Sequence, residues 1–352
     1  MKKMFMAAGM AAVMTACGTA GQKAATDAGN PFLAEYSTPF GVPPFALIKV
    51  EHYKEAFLKG MEEQKKEIDA IVNQRSVPDF DNTIAAFDQS GELLNKVSTV
   101  FSGLNSCNTN DEMQAFNKEI TPLLSAHRDD ISLNPALFAR VKEVYERREK
   151  LGLDKEQNKL LEETYKKFVR GGANLDSVDQ AKLRQLNSEI SMLQLTFGQN
   201  LLKETNAFEL VIDKKEDLAG LPESLVASAA EAAKGAGMEE KWLFTLHNPS
   251  VMPFLQYADN RELREKIFKG YINRGNNGNE ADNNEIVKKL VALRLEKAKL
   301  MGYADYASFI LEDRMAKNEE NVYRLLNQIW TPAVAKAKEE LSDIQSEIKK
   351  EG

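Results

Sequence analysis

A chain of 352 residues can bury one large or two moderate apolar cores, and 43% hydrophobic with 28% charged residues marks it as globular rather than disordered. The net charge of −7, with Lys and Arg interspersed among acids instead of clustered on one face, excludes a nucleic-acid partner and favours a peptide or protein.

The chain opens on Lys2 and Lys3 followed by an apolar run from Met4 to Met14, the pattern of a signal peptide and too short for a membrane span. Met14-Thr15-Ala16-Cys17 has the form of a lipobox, in which small residues precede a cysteine that is lipidated after cleavage. An ordinary signal peptide cut near Ala16 or Ala20 is the alternative. Both readings export the protein to the cell envelope, the first as a periplasmic or outer-membrane-anchored lipoprotein joined to the membrane through Cys17. Residues 1–17 are then the signal segment, and the small polar residues of 18–29 a flexible tether. Cys107 has no second thiol to pair with once Cys17 is acylated, and is expected to be a buried, inert thiol.

Beyond the tether, apolar residues recur at helical spacing. One stripe runs Tyr53, Phe57, Met61, Ile68, Ile71 and Val72, and a second Ile84, Phe87, Leu94, Val97, Phe101 and Leu104. Thr109, three residues before Glu112, predicts a capping box, and Asn134-Pro135 an N-cap followed by a proline at the first helical position. Gly171 and Gly172 are expected to stop a helix that begins near Asp154. The longest helix is predicted from about Asp176 to Thr205, with Leu183, Leu186, Ile190, Leu193, Phe197 and Leu201 on one face. Strand character gathers only at Phe208–Ile212 and Trp242–Leu246, on either side of an Ala-rich helix opened by Pro222 and running to about Lys234. Helices then follow at about Pro249–Tyr257, Arg261–Ile272, Asn283–Met301, Tyr303–Leu311 and from Glu319 onward. The fold class is therefore all-α with a small β ribbon. In the last helix Val334, Leu341, Ile344 and Ile348 share a face that needs a packing partner; without one, this end should invite aggregation or proteolysis.

Sites of chemistry are scarce. A catalytic zinc requires three protein ligands, two of them typically histidines four apart on one helix. His52, His127 and His247 stand far apart in sequence, so no metal is expected on this chain alone. His52 reads as part of the first helix, His127 as a helix-end charge and His247 as a cap after a strand. Cys107 has no nearby His, and no Ser lies in a G-x-S-x-G context. The pairs Asp129-Asp130 and Glu319-Glu320 are expected to be helix-start charges. The stretch Arg274–Asn284, RGNNGNEADNN, fails the calcium-loop spacing and reads as a polar turn capping the next helix, while Arg170-Gly171-Gly172 reads as a helix stop. No residue is assigned a catalytic or metal-binding role.

Four segments carry a resemblance: Asn30–Gln64 (NPFLAEYSTPFGVPPFALIKVEHYKEAFLKGMEEQ), Phe80–Leu94 (FDNTIAAFDQSGELL), Trp242–Gly275 and Ile272–Met315. They are similar to the thimet oligopeptidase family of zinc metallopeptidases, and most closely to its peptidyl-dipeptidases, the dipeptidyl carboxypeptidases. The resemblance implies a two-lobed peptidase with a deep channel for unfolded peptides. Residues 30–205 would form its N-terminal helical domain, and 206–352 the ribbon and first helices of its catalytic domain. It also implies a zinc held by HExxH and a downstream Glu, with the motif Glu as general base, and removal of dipeptides from the C-termini of short peptides. An endo-acting oligopeptidase is the alternative within the family. The HExxH helix and the family's substrate-binding Tyr, His and Arg groups belong to the C-terminal catalytic half, beyond Gly352. The expectation is that this polypeptide by itself is inactive and needs that half as a partner. A truncated reading frame, a split gene product and a fragment all fit. A different class of function stays open as well: a lipid-anchored helical module that binds peptides or proteins without chemistry.

Overall fold

Residues 29–351 are described by the structure, a computed structural model. The expected signal segment with Cys17, and the expected tether up to residue 28, lie outside the described residues.

Apolar side chains three and four apart roll onto one face of α1 (Val50–Asn73), burying Tyr53, Ala56, Phe57, Ile68 and Ile71. The N-terminal half of α1 packs with α3 (Glu92–Cys107) and α4 (Asp111–Ser132) around a core of Phe32, Tyr53, Phe57, Val97, Phe101, Phe116 and Ile120. Tyr53 sits among aromatic rings, with centroids 5.1 Å from Phe32 and 5.0 Å from Phe101. Its hydroxyl is buried without a hydrogen-bond partner, and burial, with the nearby Tyr36, pushes its pKa up to about 12. Helices α1 and α3 approach so closely that a Cβ on Gly60 would lie 2.9 Å from the Leu94 backbone, which only glycine permits.

The C-terminal half of α1 meets a second core, built with a π-helical turn at Phe80–Ala85, the short α2 (Ala86–Asp88), α5 (Pro135–Glu146) and α6 (Lys155–Arg170). The predicted second stripe is thus broken between Phe87 and Leu94, where Gly91 donates its backbone N–H to the Glu67 carboxylate at 2.7 Å. Asn134 caps α5 as expected, accepting from Ala136 and Leu137, with Pro135 next to it. Thr109 does not cap α4. Asn110 does, accepting from the Met113 N–H at 2.8 Å, while the Thr109 hydroxyl donates to Asn105. Helix α6 ends at the two glycines, but the residue in the left-handed region is Gly172 (φ 97°), Gly171 remaining near-helical.

The long helix α7 (Ser177–Ala207) runs on from the capping residue Asp176 and packs against α4. A third core surrounds the ribbon, in which β1 (Leu210–Ile212) and β2 (Trp242–Phe244) pair antiparallel with Leu210 opposite Phe244 and Ile212 opposite Trp242. Leu210, Ile212 and Phe244 join Leu225 of α8 (Glu223–Gly235), Phe254 of α9 (Asn248–Tyr257) and Ile267 of α10 (Arg261–Ile272). Three-residue strands persist because helices bury them, since an isolated ribbon of that size is marginal in water.

Helix α11 (Asn284–Leu300) returns against α7, followed by α12 (Tyr306–Leu311) and α13 (Glu319–Glu351). Helix α12 starts three residues later than the pattern predicts, because Gly302 turns the chain (φ 85°) and Asp305 caps it by accepting from the Ser308 N–H.

Candidate functional site

Helix α7 organises the polar features of the molecule. Its apolar stripe is buried at Leu183 and Leu186, but Ile190, Leu193, Phe197 and Leu201 are only half-buried. On the same face Asn187 links two ionisable groups from neighbouring helices: its amide donates to Asp129 of α4 at 2.8 Å and its oxygen accepts from Lys297 of α11 at 2.6 Å. Burial pushes the Asp129 carboxyl up, against the opposing effects of Asn187, Arg184, Lys297 and Arg128. Burial likewise pulls the Lys297 ammonium down. The expectation that Asp129-Asp130 marks a helix start is corrected: both lie in the last turn of α4, where Asp130 pairs with Arg184 at 2.7 Å. Side-chain partners on α7 hold carboxylates there that the helix dipole alone disfavours. Glu319 and Glu320 do stand in the first turn of α13.

Near the end of α7, buried Glu204 closes the loop from Asn273 to Asn283. It accepts from the Gly275 N–H, from Asn277 Nδ2 at 2.9 Å and from Asn279 Nδ2 at 2.6 Å. Burial raises the carboxyl's pKa, but the three donors together outweigh it and hold Glu204 below the usual range. The Asn-rich loop is therefore a polar turn, as its composition suggested. Asn283 stands at the N-cap of α11 without a side-chain capping bond, and its neighbour Asp282 accepts from the Asn284 N–H at 2.8 Å. Asn283 is buried, donating to the Phe197 carbonyl and accepting from Asn200. Neither Asn187 nor Glu204 was singled out by motif. Their signal was positional: Asn187 follows Leu183 by four residues and Glu204 follows Leu201 by three, so each falls on the buried face.

The histidines are separated and each ring has a partner. His52 Nδ1 accepts from the Lys49 N–H at 3.0 Å, His127 Nε2 is 2.8 Å from Gln64 Oε1, and His247 contacts Thr245 and Asn206 at 3.0 and 3.2 Å. His127 is not the charged helix-end residue expected: it lies inside α4, and burial lowers its pKa. Among the described residues no group of three or more His, Cys, Asp or Glu can hold a metal ion. These donors do not fit a zinc site. Cys107 is exposed, contrary to the buried thiol expected, because it is the last residue of α3, where the helix runs out of the core. Arg170 is more than a helix stop, donating to Glu312 at 2.7 Å and to the Phe309 carbonyl at 2.6 Å, which ties α6 to α12.

Two unpartnered apolar stripes complete the picture. Val287, Val291 and Leu295 are exposed at four-residue intervals along α11. Helix α13, 33 residues and so about 50 Å long, exposes Leu326, Ile329, Trp330, Leu341, Ile344 and Ile348, with Val334 half-buried. Its first turn is anchored by Ser308, whose hydroxyl donates to Glu319 at 2.7 Å. This arrangement can pack against a further protein body. It supplies neither a nucleophile–base pair nor a metal.

Residues 254–352 match the model of Peptidase family M3. Over 322 residues, 92% of this chain and 47% of the relative, the sequence is 39% identical to a dipeptidyl carboxypeptidase of Escherichia coli (strain K12). It is also 39% identical over 319 residues to the dipeptidyl carboxypeptidase of Salmonella typhimurium, covering 91% of this chain and 47% of that protein. To oligopeptidase A of Haemophilus influenzae it is 29% identical over 317 residues, 88% of this chain and 46% of the relative. The chain spans about half the length of the curated relatives it matches.

Proposed function

Because this chain is a partial match to Peptidase family M3, we propose that it forms the N-terminal half of a zinc peptidase that releases dipeptides from the C-termini of short peptides. The observation that carries this reading is the identity gradient: 39% to dipeptidyl carboxypeptidases against 29% to an oligopeptidase A over nearly the same span. That gradient favours dipeptide release over internal cleavage. In this reading the zinc and its general base belong to residues outside this chain. The 352 residues contribute the helical body and the apolar stripes of α11 and α13, against which the remaining half of the enzyme packs. In this reading the polypeptide alone hydrolyses nothing.

The test is to express the product of the whole locus and follow an N-blocked tetrapeptide by mass spectrometry. Release of the C-terminal dipeptide is expected, abolished by a chelator, restored by zinc, and absent when the substrate's carboxylate is amidated. Cleavage of the amidated peptide at an equal rate would favour the endo-acting oligopeptidase. Chelator-sensitive hydrolysis by residues 1–352 alone would refute the division of labour.

The positive start, the apolar run and Met14-Thr15-Ala16-Cys17 support a location in the cell envelope with a lipid on Cys17. None of the described helices is long and apolar enough to cross a membrane. Labelled palmitate should enter the wild-type chain and not Cys17→Ser; equal labelling of both would remove the anchor.

A further inference from the structure

The first two cores do not close completely on each other. At their seam lies a cavity of about 420 Å³, walled by Phe87, Leu94, Leu124, Ile131 and Phe168. The pocket opens to solvent on the side of Arg128 and Lys167, and its volume falls in the range of small-molecule sites. Phe87, Ile131 and Phe168 come from one core, and Leu94 and Leu124 from the other, so the cavity is not a defect within either.

Its polar equipment is one-sided. Arg128 and Lys167 line it, and among the described residues neither side chain makes a hydrogen bond or ion pair, in a chain of net charge −7. No Asp or Glu lines the cavity. Asp130, the acid that acts on His127, is occupied by Arg184 at 2.7 Å. His127 and Gln64 supply neutral polarity. The Gln64 amide nitrogen donates to the Ser90 hydroxyl at 3.4 Å, so its oxygen accepts from His127 Nε2, and the imidazole keeps Nδ1 as an acceptor. Burial holds this ring toward its neutral form. An apolar pocket with two exposed cations at its rim that form no ion pair among the described residues is complementary to a ligand with an apolar body and an anionic head.

We propose that this cavity binds a small aliphatic carboxylate, with its chain among Phe87, Leu124 and Phe168 and its carboxylate between Arg128 and Lys167.

Decanoate is the probe, titrated into the full chain, with decan-1-ol as the uncharged control and acetate as the control lacking a chain. The protein has three histidines, so ring NMR signals report the location directly. Decanoate should shift the His127 signals with one-to-one saturation and leave His52 and His247 unmoved. Decan-1-ol should bind about tenfold more weakly or worse, and acetate should not saturate. Arg128→Ala combined with Lys167→Ala should weaken decanoate about tenfold or more. Both side chains are exposed, so this variant keeps the core intact. Leu124→Trp should fill the cavity and abolish binding, with Ser98→Phe, from the opposite wall, as the second filling variant if the first does not fold. Undiminished affinity in the double variant would overturn the proposal. So would decanoate uptake that changes tryptophan fluorescence while the His127 signals stay still.

Discussion

Replacing Glu204 by Gln tests how the loop from Asn273 to Asn283 is held against α7. Three donors converge on this carboxylate, from Gly275, Asn277 and Asn279. A hydrogen bond to a charged acceptor contributes about 1.5–3 kcal/mol, and the cost of burying the charge offsets part of the sum. Glutamine keeps one accepting oxygen and turns an NH₂ group toward the other donors, so at least one donor loses its partner. The expected net loss is about 2–4 kcal/mol for local closure. Native-state hydrogen exchange at the Gly275 amide should accelerate at least about thirtyfold, the equivalent of ~2 kcal/mol. The pH dependence has a definite sign. Glu204 is held below its ordinary pKa in the folded chain, so its contribution is present above the unfolded value and is lost as pH falls through the folded one. The difference between wild type and variant should be flat from about pH 5 to 7 and shrink below about pH 4. Equal exchange at Gly275, or a difference unchanged in acid, would refute the account.

Asn187→Leu removes the bridge between buried Asp129 and half-buried Lys297 and leaves the Asp129 carboxyl without its hydrogen bond; the urea midpoint should report a loss of about 3 kcal/mol, and a change under about 1 kcal/mol would contradict the bridge. Tyr53→Phe deletes a buried hydroxyl that has no partner, and should raise the thermal midpoint by the equivalent of about 1 kcal/mol; a lower midpoint would mean the hydroxyl is satisfied after all. Exposed Cys107 should be alkylated by iodoacetamide in the native chain without denaturant, whereas protection until urea is added would place it inside the core.

Helix positions were legible in the sequence because they depend on short-range terms: apolar spacing, capping residues, prolines and glycines. Arg261–Ile272 appears with its predicted bounds, and Asn134 caps the helix it was expected to cap. Where two capping residues adjoin, the sequence does not choose between them, and Asn110 takes the place expected of Thr109. The resemblance to peptidyl-dipeptidases was equally legible, since whole segments carry it. Long-range partners were not legible. Asp129 looked like a helix-start charge until α7 brought Asn187 to it across 58 positions, and Glu204 looked like one acid among many until Gly275, 71 positions later, donated to it. Burial of Cys107 was misread for the same reason: a thiol's neighbours are set by how a helix end meets the core. The sequence by itself determined the helices, the ribbon and the family likeness. Tertiary structure alone decided which polar side chains are buried together and which apolar faces stay open, because desolvation depends on neighbours that are distant along the chain.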